Sequence, residues 1–313
     1  MSNYEHIASV YWVFTQLCND ECDHCYNLSG PRGKRMSNEE CLAIIDNLPQ
    51  QVDRLILSGG EPLAERKQLW LVLDALQEKY KGSAQIMLQT NGDLMTEEIL
   101  DTILEKGVTR IDIASIDRYH KHAGKRMDQL RAMFTSRGMT DDNTKPLVEK
   151  ETYLHKESAS FGFWGANEEM WLGGNWARGR AMEKDIWMRN PQHNFCSILS
   201  GAIGFLGGVE EVPQEISIQL WKINPCCPGT LYPLGDARKE RVSEVLERVA
   251  DNPVFQRLNE GDPWKMGESM GVTEAYAKER TEVLKNVCLW CDEFFENHLN
   301  PTDFIPLNVI QHA

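Results

Sequence analysis

Short apolar runs alternate with helical patterns over the first 114 residues. Four of these runs, 11–15, 54–58, 85–88 and 108–114, are short, apolar and followed by turn residues, which is typical of buried strands. Between them, apolar residues three and four positions apart predict helices that begin after Ser37, at Lys67 and after Thr96. Strands that alternate with helices favour a parallel sheet with right-handed crossovers. We therefore predict an α/β fold.

Polar and glycine residues follow each of the four predicted strands. The segments that follow them are 18–26, 59–62, 90–92 and 115–117. Because parallel sheets bind ligands at the carboxyl ends of their strands, we expect these segments to form one site.

The first of these segments contains Cys18, Cys22 and Cys25, with the spacing C-x3-C-x2-C. Three thiolates on one short loop can hold three irons of a [4Fe–4S] cluster and leave the fourth iron open. An open iron can bind a small molecule and pass it an electron. Structural zinc or three buried thiols are the alternatives, and zinc usually requires four ligands from paired C-x2-C elements.

The second segment is Gly59-Gly60-Glu61-Pro62. Two glycines let a backbone approach a ligand closely, and Glu61 offers a carboxylate to a cationic amine. Taken alone, the segment is an ordinary turn between a strand and a loop.

Together, the cysteine spacing, the aromatic Tyr26 after it and the GGEP segment resemble the radical S-adenosylmethionine (SAM) superfamily. The resemblance implies that Cys18, Cys22 and Cys25 hold a [4Fe–4S] cluster that binds SAM and cleaves it to a 5′-deoxyadenosyl radical, which abstracts a substrate hydrogen. It also implies a partial (β/α)6 TIM-like barrel and a reductant protein such as flavodoxin or ferredoxin.

The resemblance assigns SAM contacts as well. It implies that the segment from Gly59 to Glu61 grips the SAM amino group and that the backbone of Tyr26 meets the adenine. Asn91 and Ser115 fall where related enzymes contact the ribose or methionine. Arg180, in an Arg-Gly-Arg-Ala run, falls where an arginine can meet the SAM carboxylate, although an exposed arginine at a helix start is an alternative. The family's glycine-rich fifth-strand motif is not placed between 150 and 165.

The second half of the chain carries another group of cysteines. An apolar run at 216–223 ends in Pro-Cys226-Cys227-Pro, Cys196 precedes a glycine-rich stretch at 198–209, and Cys288 and Cys291 form a C-x2-C element. We predict that 198–209 and 216–223 pair as a hairpin. A cysteine before a hairpin, one after it and a distal C-x2-C resemble the twitch domain, the shorter relative of the SPASM domain.

The twitch resemblance implies a small C-terminal α+β cap in which Cys196, Cys226, Cys288 and Cys291 hold an auxiliary [4Fe–4S] cluster, with Cys227 as the spare thiol. We predict a core barrel at 1–185 and the cap at 186–313. A charged helix at 237–250 fits this layout, and the stretch 252–282 is an insertion that could shape the substrate pocket or an interface.

Other interpretations of the remaining cysteines stay open. The four late cysteines could hold structural zinc, and Cys288 with Cys291 could be a redox dithiol. Cys41, inside the first predicted helix, is interpreted as a small hydrophobe.

Composition limits the class of partner. The chain has 313 residues and a net charge of −14, which argues against nucleic acid, where a basic surface is expected. No stretch approaches the roughly 20 apolar residues of a membrane helix. Nine cysteines without a secretion signal predict a cytoplasmic location.

The predicted function is oxidation of a small molecule, because the chain resembles the twitch dehydrogenase of aminoglycoside biosynthesis. The alternatives are a maturase that cross-links or epimerises a ribosomally made peptide, and a non-catalytic metal-binding protein of the same fold. The first strand begins near residue 10 with no peptide-recognition domain before it, which favours a small substrate or a leader-independent peptide.

Two further stretches are candidates for substrate contact. Aromatic residues between Phe161 and Trp176 could line a cavity or pack within a strand. His120 or Tyr119 could serve as a base, or could be solvated loop residues. No catalytic base is assigned.

Overall fold

The computed structural model describes residues 4–122, 124–142, 159–165, 174–198 and 200–306. Its strands are His6–Thr15 (β1), Gln51–Gly59 (β2), Gln85–Thr90 (β3), Val108–Ile113 (β4), Thr140–Asp141 (β5), Ser160–Phe163 (β6), Glu215–Gln219 (β7), Lys222–Asn224 (β8) and Gly235–Asp236 (β9). Its α-helices are Asn38–Asn47 (α1), Arg66–Tyr80 (α2), Glu97–Glu105 (α3), Met127–Ser136 (α4), Gly179–Glu183 (α5), Val242–Ala250 (α6), Pro253–Asn259 (α7), Glu274–Leu284 (α8) and Val287–His298 (α9).

The strands of the described residues form a single sheet in the order β5-β6-β4-β3-β2-β1-β7-β8-β9. Neighbours from β5 to β7 are parallel, and β8 and β9 pair antiparallel at one edge. The sheet ends on β5 and β9 and is therefore open. This arrangement confirms the predicted α/β class and agrees with a partial TIM-like barrel.

Alternation along the strands separates the two faces of the sheet. Trp12, Leu57 and Leu88 pack with the helices in the main hydrophobic core. Tyr11, Val13, Ile56 and Met87 form a second, smaller cluster with Cys227, against which Tyr26 and Trp176 pack. Because successive side chains of a strand point to opposite faces, β1, β2 and β3 each contribute to the outer core and to the inner surface.

The helix starts follow the signals in the sequence. Ser37 accepts a hydrogen bond from the backbone of Glu40, whose side chain accepts one from the backbone of Ser37, so the predicted capping box is present. Thr96 caps α3 through its side chain alone, which accepts a hydrogen bond from the backbone N–H of Ile99. The other end of α1 is capped from outside: Lys79 Nζ donates to the carbonyl oxygens of Ile45 at 2.7 Å and Leu48 at 2.8 Å. Cys41 is fully buried in the main core.

The predicted strand at 216–223 and its pairing with 198–209 are wrong. The run is itself a hairpin, since β7 and β8 pair antiparallel across a turn at Leu220, which has φ +56°. The described residues of 198–209 form turns, because Gly204, Gly207 and Gly208 all have positive φ. The two residues of this turn, Leu220 and Trp221, are apolar and buried. The apolar content of the run therefore does not distinguish the turn from a strand.

β7 joins the sheet beside β1 in parallel, so the sheet is continuous across the predicted boundary at 185/186. The division into two domains stays a prediction. The predicted helix at 237–250 begins only at Val242, since the Asp236 carboxylate accepts hydrogen bonds from Arg238 and turns the chain before it.

The stretch 252–282 contains α7 and most of α8. It packs onto the elements that carry the late cysteines: Trp290 Nε1 donates to the carbonyl oxygen of Pro263 at 3.0 Å, and Asn194 Nδ2 donates to that of Gly261 at 2.7 Å. This stretch therefore supports the helix and loop next to the predicted auxiliary site. Among the described residues, no helix is long and apolar enough to cross a membrane.

Candidate active site

An open cavity of about 1060 Å³ lies where β1 to β4 end. Eight of the predicted site residues line it together: Cys18, Cys22, Cys25, Tyr26, Gly59, Gly60, Asn91 and Arg180. Three of the four predicted segments, 18–26, 59–62 and 90–92, thus meet at this cavity, and Ala114 lines it where β4 ends.

Backbone pairing fixes the cysteine loop after β1. The N–H of Cys18 donates to the carbonyl of Gly30 at 2.9 Å, and the N–H of Gln16 donates to that of Lys34 at 2.8 Å. Burial raises the pKa of Cys18 to about 12 and also raises the pKa of Cys22. These two thiols are therefore protonated at neutral pH in the metal-free chain, and binding of a metal would release their protons.

The close packing of the backbone requires glycine at positions 59 and 60. A Cβ on Gly60 would lie 2.4 Å from the carbonyl oxygen of Leu17, and one on Gly59 would lie 2.7 Å from that of Thr15. The glycines thus let the end of β2 pass close to the end of β1. Both glycines also line the cavity, which is consistent with a contact to SAM. That contact stays a prediction.

Glu61 is fully buried and does not line the cavity. Its carboxylate accepts hydrogen bonds from Leu63 N at 2.9 Å, Thr90 Oγ1 at 2.7 Å and Asn91 N at 2.7 Å. Burial raises the pKa of this carboxyl group to about 7, although the three hydrogen bonds favour the ionised form. In the metal-free chain, Glu61 therefore ties the end of β2 to the end of β3.

Ser115 is also buried behind the cavity wall. Its Oγ donates to the carbonyl oxygen of Asn91 at 2.8 Å. Glu61 and Ser115 thus hold the two backbone polar groups of Asn91, which itself faces the cavity. The sequence predicts a SAM contact for each of the three residues and does not distinguish the lining residue from its two supports.

The segment Arg178-Gly179-Arg180 touches both groups of cysteines. Arg180 donates from Nε to the carbonyl oxygen of Cys22 at 2.9 Å and from Nη2 to that of Ser29. Gly179 has φ +52°, and a Cβ there would lie 2.5 Å from the carbonyl oxygen of Cys25. The arginine at the helix start is therefore partly buried against the cysteine loop.

A group that sequence reasoning did not assign lies next to Cys22. One nitrogen each of His24 and His120 is within 4.8 Å of the Cys22 sulfur, and all three residues line the cavity. His120 Nδ1 lies 3.0 Å from the buried Asp117 carboxylate, and His24 Nε2 lies 3.6 Å from it. Burial lowers the pKa of His24 to about 4, so its ring is neutral at pH 7. Tyr119 is stacked on His24 and does not line the cavity.

The four late cysteines are brought together from three elements. Negative charge on Cys288 or Cys226 raises the pKa of Cys196, and charge on Cys196 or Cys226 raises that of Cys291, in addition to the effect of burial. An asparagine two positions earlier fixes two of them. Asn194 Oδ1 accepts from the N–H of Cys196 at 3.0 Å, and Asn286 Oδ1 accepts from that of Cys288 at 2.8 Å.

Cys226 and Cys227 lie in different environments. The thiol of Cys226 is influenced by Cys288 and Arg178, so it belongs to the group of four. The thiol of Cys227 lies 3.3 Å from Tyr26 Oη and lines the central cavity. Its neighbours there include Tyr11 and Trp176. One peptide bond therefore separates the cavity from the four-thiol site.

The aromatic stretch divides between core and cavity. Phe161 and Phe163 pack in the main core, as expected for a strand. Trp164 and Trp176 line the cavity, and Trp176 packs edge-on against Tyr26 at 4.8 Å between ring centroids. Trp171 lies outside the described residues.

An open parallel sheet with three cysteines on the loop after its first strand, a glycine pair after its second and a shared cavity defines a class of iron–sulfur protein. Residues 12–128 match the Radical SAM superfamily, and this range contains every predicted core residue from Cys18 to Ser115. This part of the chain therefore matches a radical SAM domain, which confirms the resemblance drawn from the first half of the sequence. The twitch-type cap stays a prediction. The superfamily uses a [4Fe–4S] cluster and SAM.

Individual relatives show how far the similarity extends. An AdoMet-dependent heme synthase of Methanosarcina barkeri is 33% identical over 112 residues, which is 34% of this chain and 30% of that protein. The solved structure of BtrN in complex with AdoMet and 2-DOIA has a TM-score of 0.51 at 16% identity and covers 82% of this chain and 88% of BtrN. Streptococcus suis SuiB has a TM-score of 0.45 at 12% identity and covers 82% of this chain and 68% of SuiB. The similarity to BtrN shows a common fold.

Proposed function

We propose that this chain is a radical SAM oxidoreductase that oxidises a small molecule with the help of an auxiliary iron–sulfur cluster. The observation that carries the proposal is the position of two cysteine groups relative to one cavity. Cys18, Cys22 and Cys25 line it from the loop after β1, and Cys226 of the four-thiol group is bonded directly to Cys227, which also lines it.

The cysteine loop fits a cluster with an open iron. It offers three thiols, Cys18, Cys22 and Cys25, at one end of a cavity that could hold SAM beside them. When bound, the cluster and SAM supply the one-electron chemistry that removes a hydrogen atom from a C–H bond. Gly59, Gly60 and Asn91 would shape the SAM side of the cavity, and Arg180 would hold the loop by its carbonyl groups. A reductant such as flavodoxin or ferredoxin would supply the electron.

The second group fits an auxiliary cluster. Cys196, Cys226, Cys288 and Cys291 are four buried or half-buried thiols, which is the donor set of a fully ligated [4Fe–4S] cluster. Beside the cavity, such a group would accept an electron from the substrate after hydrogen abstraction. This arrangement favours oxidation.

The cavity supports a small substrate. It is a concave site that opens to solvent, which is the kind of site that small molecules occupy. Tyr11, Gln89 and Trp176 offer hydroxyl, amide and aromatic groups on this side. The net charge of −14 continues to speak against a nucleic-acid substrate.

The first experiment measures 5′-deoxyadenosine formed from SAM by the anaerobically reconstituted chain with dithionite. We expect formation by the wild type and by Cys41→Ala, which removes a buried thiol from α1 outside both groups. We expect none from the variant Cys18→Ala, Cys22→Ala, Cys25→Ala. SAM cleavage by that triple variant would overturn the assignment.

The second experiment counts iron. Cys288→Ala with Cys291→Ala should keep SAM cleavage and lose about four irons per chain if one cubane is lost. Unchanged iron would remove the auxiliary cluster from the proposal. Turnover of a short peptide, with no turnover of carbinol-bearing small molecules, would instead favour the peptide-maturase alternative.

A further inference from the structure

The guanidinium of Arg178 lies at the four-thiol site. It donates from Nη2 to the carbonyl oxygen of Cys288 at 3.4 Å and to that of Gly229 at 3.4 Å. Only 16% of its side chain is exposed. A mostly buried positive charge is therefore fixed against the backbone of one of the four cysteines.

Asp292 is the carboxylate partner of Arg178. Its Oδ1 and Oδ2 each lie 2.9 Å from a terminal nitrogen of Arg178, which is the paired geometry that guanidinium and carboxylate groups favour. Asp292 directly follows Cys291 on α9. Two opposite charges are thus held beside the cysteines of α9, one from each of the two predicted domains.

The two charges lie beside the C-x2-C pair of the four-thiol group. Arg178 Nη2 is fixed against the backbone of Cys288, and Asp292 directly follows Cys291 on α9. Because the two charges have opposite signs, they would act in opposite directions on any charge that develops at this site.

We propose that Arg178 and Asp292 set the reduction potential of the iron–sulfur group held by the four thiols, and that Arg178 raises this potential while Asp292 lowers it. The inference rests on the proposed function, because it requires the auxiliary cluster. One-electron reduction adds a negative charge to a site that already holds four thiolates. A nearby buried cation stabilises the reduced form, and a nearby anion destabilises it.

This effect gives Arg178 a role in the proposed reaction. The electron would come from the substrate radical, which loses one electron and one proton as it becomes the oxidised product. A higher potential at the four-thiol site favours that transfer. Arg178 is therefore a positioning residue, since it acts through the site and does not touch the cavity.

The test is a redox titration followed by electron paramagnetic resonance. It is made in the variant Cys18→Ala, Cys22→Ala, Cys25→Ala, so that dithionite reduces one kind of cluster alone. In this background we compare Arg178→Gln, Arg178→Lys and Asp292→Asn. The matched control is Arg137→Gln. Arg137 also pairs with two carboxylates, those of Glu97 and Asp101 on α3.

We expect Arg178→Gln to lower the midpoint potential, Asp292→Asn to raise it, and Arg178→Lys and Arg137→Gln to leave it close to that of the parent. Opposite shifts from Arg178→Gln and Asp292→Asn are the signature of charge. Unshifted potentials, or shifts of the same sign, would overturn the proposal. If Arg178→Gln does not retain iron, the Asp292→Asn variant provides the test. An unchanged midpoint potential in that variant would then overturn the proposal.

Failure of the proposed function would be recognisable separately. If the triple-alanine parent itself binds no iron, both the auxiliary cluster and the present inference fall. If it binds about four irons and the midpoint potential does not change in the Arg178 and Asp292 variants, only the inference about these two residues is wrong.

Discussion

Arg180 Nε donates a hydrogen bond of 2.9 Å to the carbonyl oxygen of Cys22, 158 positions earlier in the chain. The backbone N–H of Arg180 donates to the carbonyl of Cys25 at 2.8 Å. The loop that carries the three cysteines is therefore shaped by a segment that lies outside the region matched to the radical SAM superfamily.

Arg180→Ala should loosen the cysteine loop. The change removes the side-chain hydrogen bonds to the carbonyl oxygens of Cys22 and Ser29, and the loss of such bonds costs about 1 to 3 kcal/mol of unfolding free energy. We expect faster amide hydrogen exchange at 18–29 in the metal-free chain. Arg35→Ala is the control, because Arg35 is half-exposed and pairs with Glu65. Equal exchange in the two variants would contradict this role.

Gly60→Ala should destabilise the chain by about 1 to 3 kcal/mol, since its Cβ would lie 2.4 Å from the carbonyl oxygen of Leu17. Gly30→Ala is the matched control: a Cβ there meets only side-chain atoms of Glu21, the nearest at 3.5 Å. Denaturant unfolding measures both variants. The close approach of β1 and β2 would be disproved as the reason for this glycine if both alanines were tolerated.

Glu61→Ala should lower the unfolding free energy by about 3 kcal/mol. The change leaves three buried donors without an acceptor, and each such group costs on the order of 1 to 3 kcal/mol. Glu105→Ala, at an exposed position of α3, should have little effect. The measurement is urea unfolding of the metal-free chain, and a small loss at Glu61 would show that water replaces its hydrogen bonds.

The Glu61 carboxyl group should also make stability depend on pH. Its pKa is about 7 in the folded chain against an ordinary 4.5, so the folded chain holds more protons between these values. Linkage then requires stability to fall as pH rises from 4.5 to about 7, by about 3 kcal/mol in total, and to be fully present below 4.5.

Glu61→Gln removes this titration, so its unfolding free energy should fall less over the same pH range than that of the wild type. Glu105→Gln controls for the loss of one charge at the surface. Parallel pH profiles for wild type and Glu61→Gln would mean that Glu61 titrates normally in the folded chain.

The local sequence was sufficient for the elements of the first half of the chain. Short apolar runs predicted β1 to β4, and the signals at Ser37 and Thr96 predicted the starts of α1 and α3. These features depend on residues within a few positions of one another, and the structure contains each of them. The apolar run at 216–223 failed, because a turn at Leu220 looks identical to a strand when its flanking side chains are buried.

The sequence by itself also determined which segments meet at the cavity, because parallel strands bring their carboxyl ends to one edge. Only the tertiary structure decided what each side chain does there. Glu61 points into the protein, Cys227 faces the cavity beside Cys226, and Arg178 and Arg180 turn toward different cysteine groups. These outcomes depend on partners up to 201 positions apart, and spacing along the chain carries no information about such contacts.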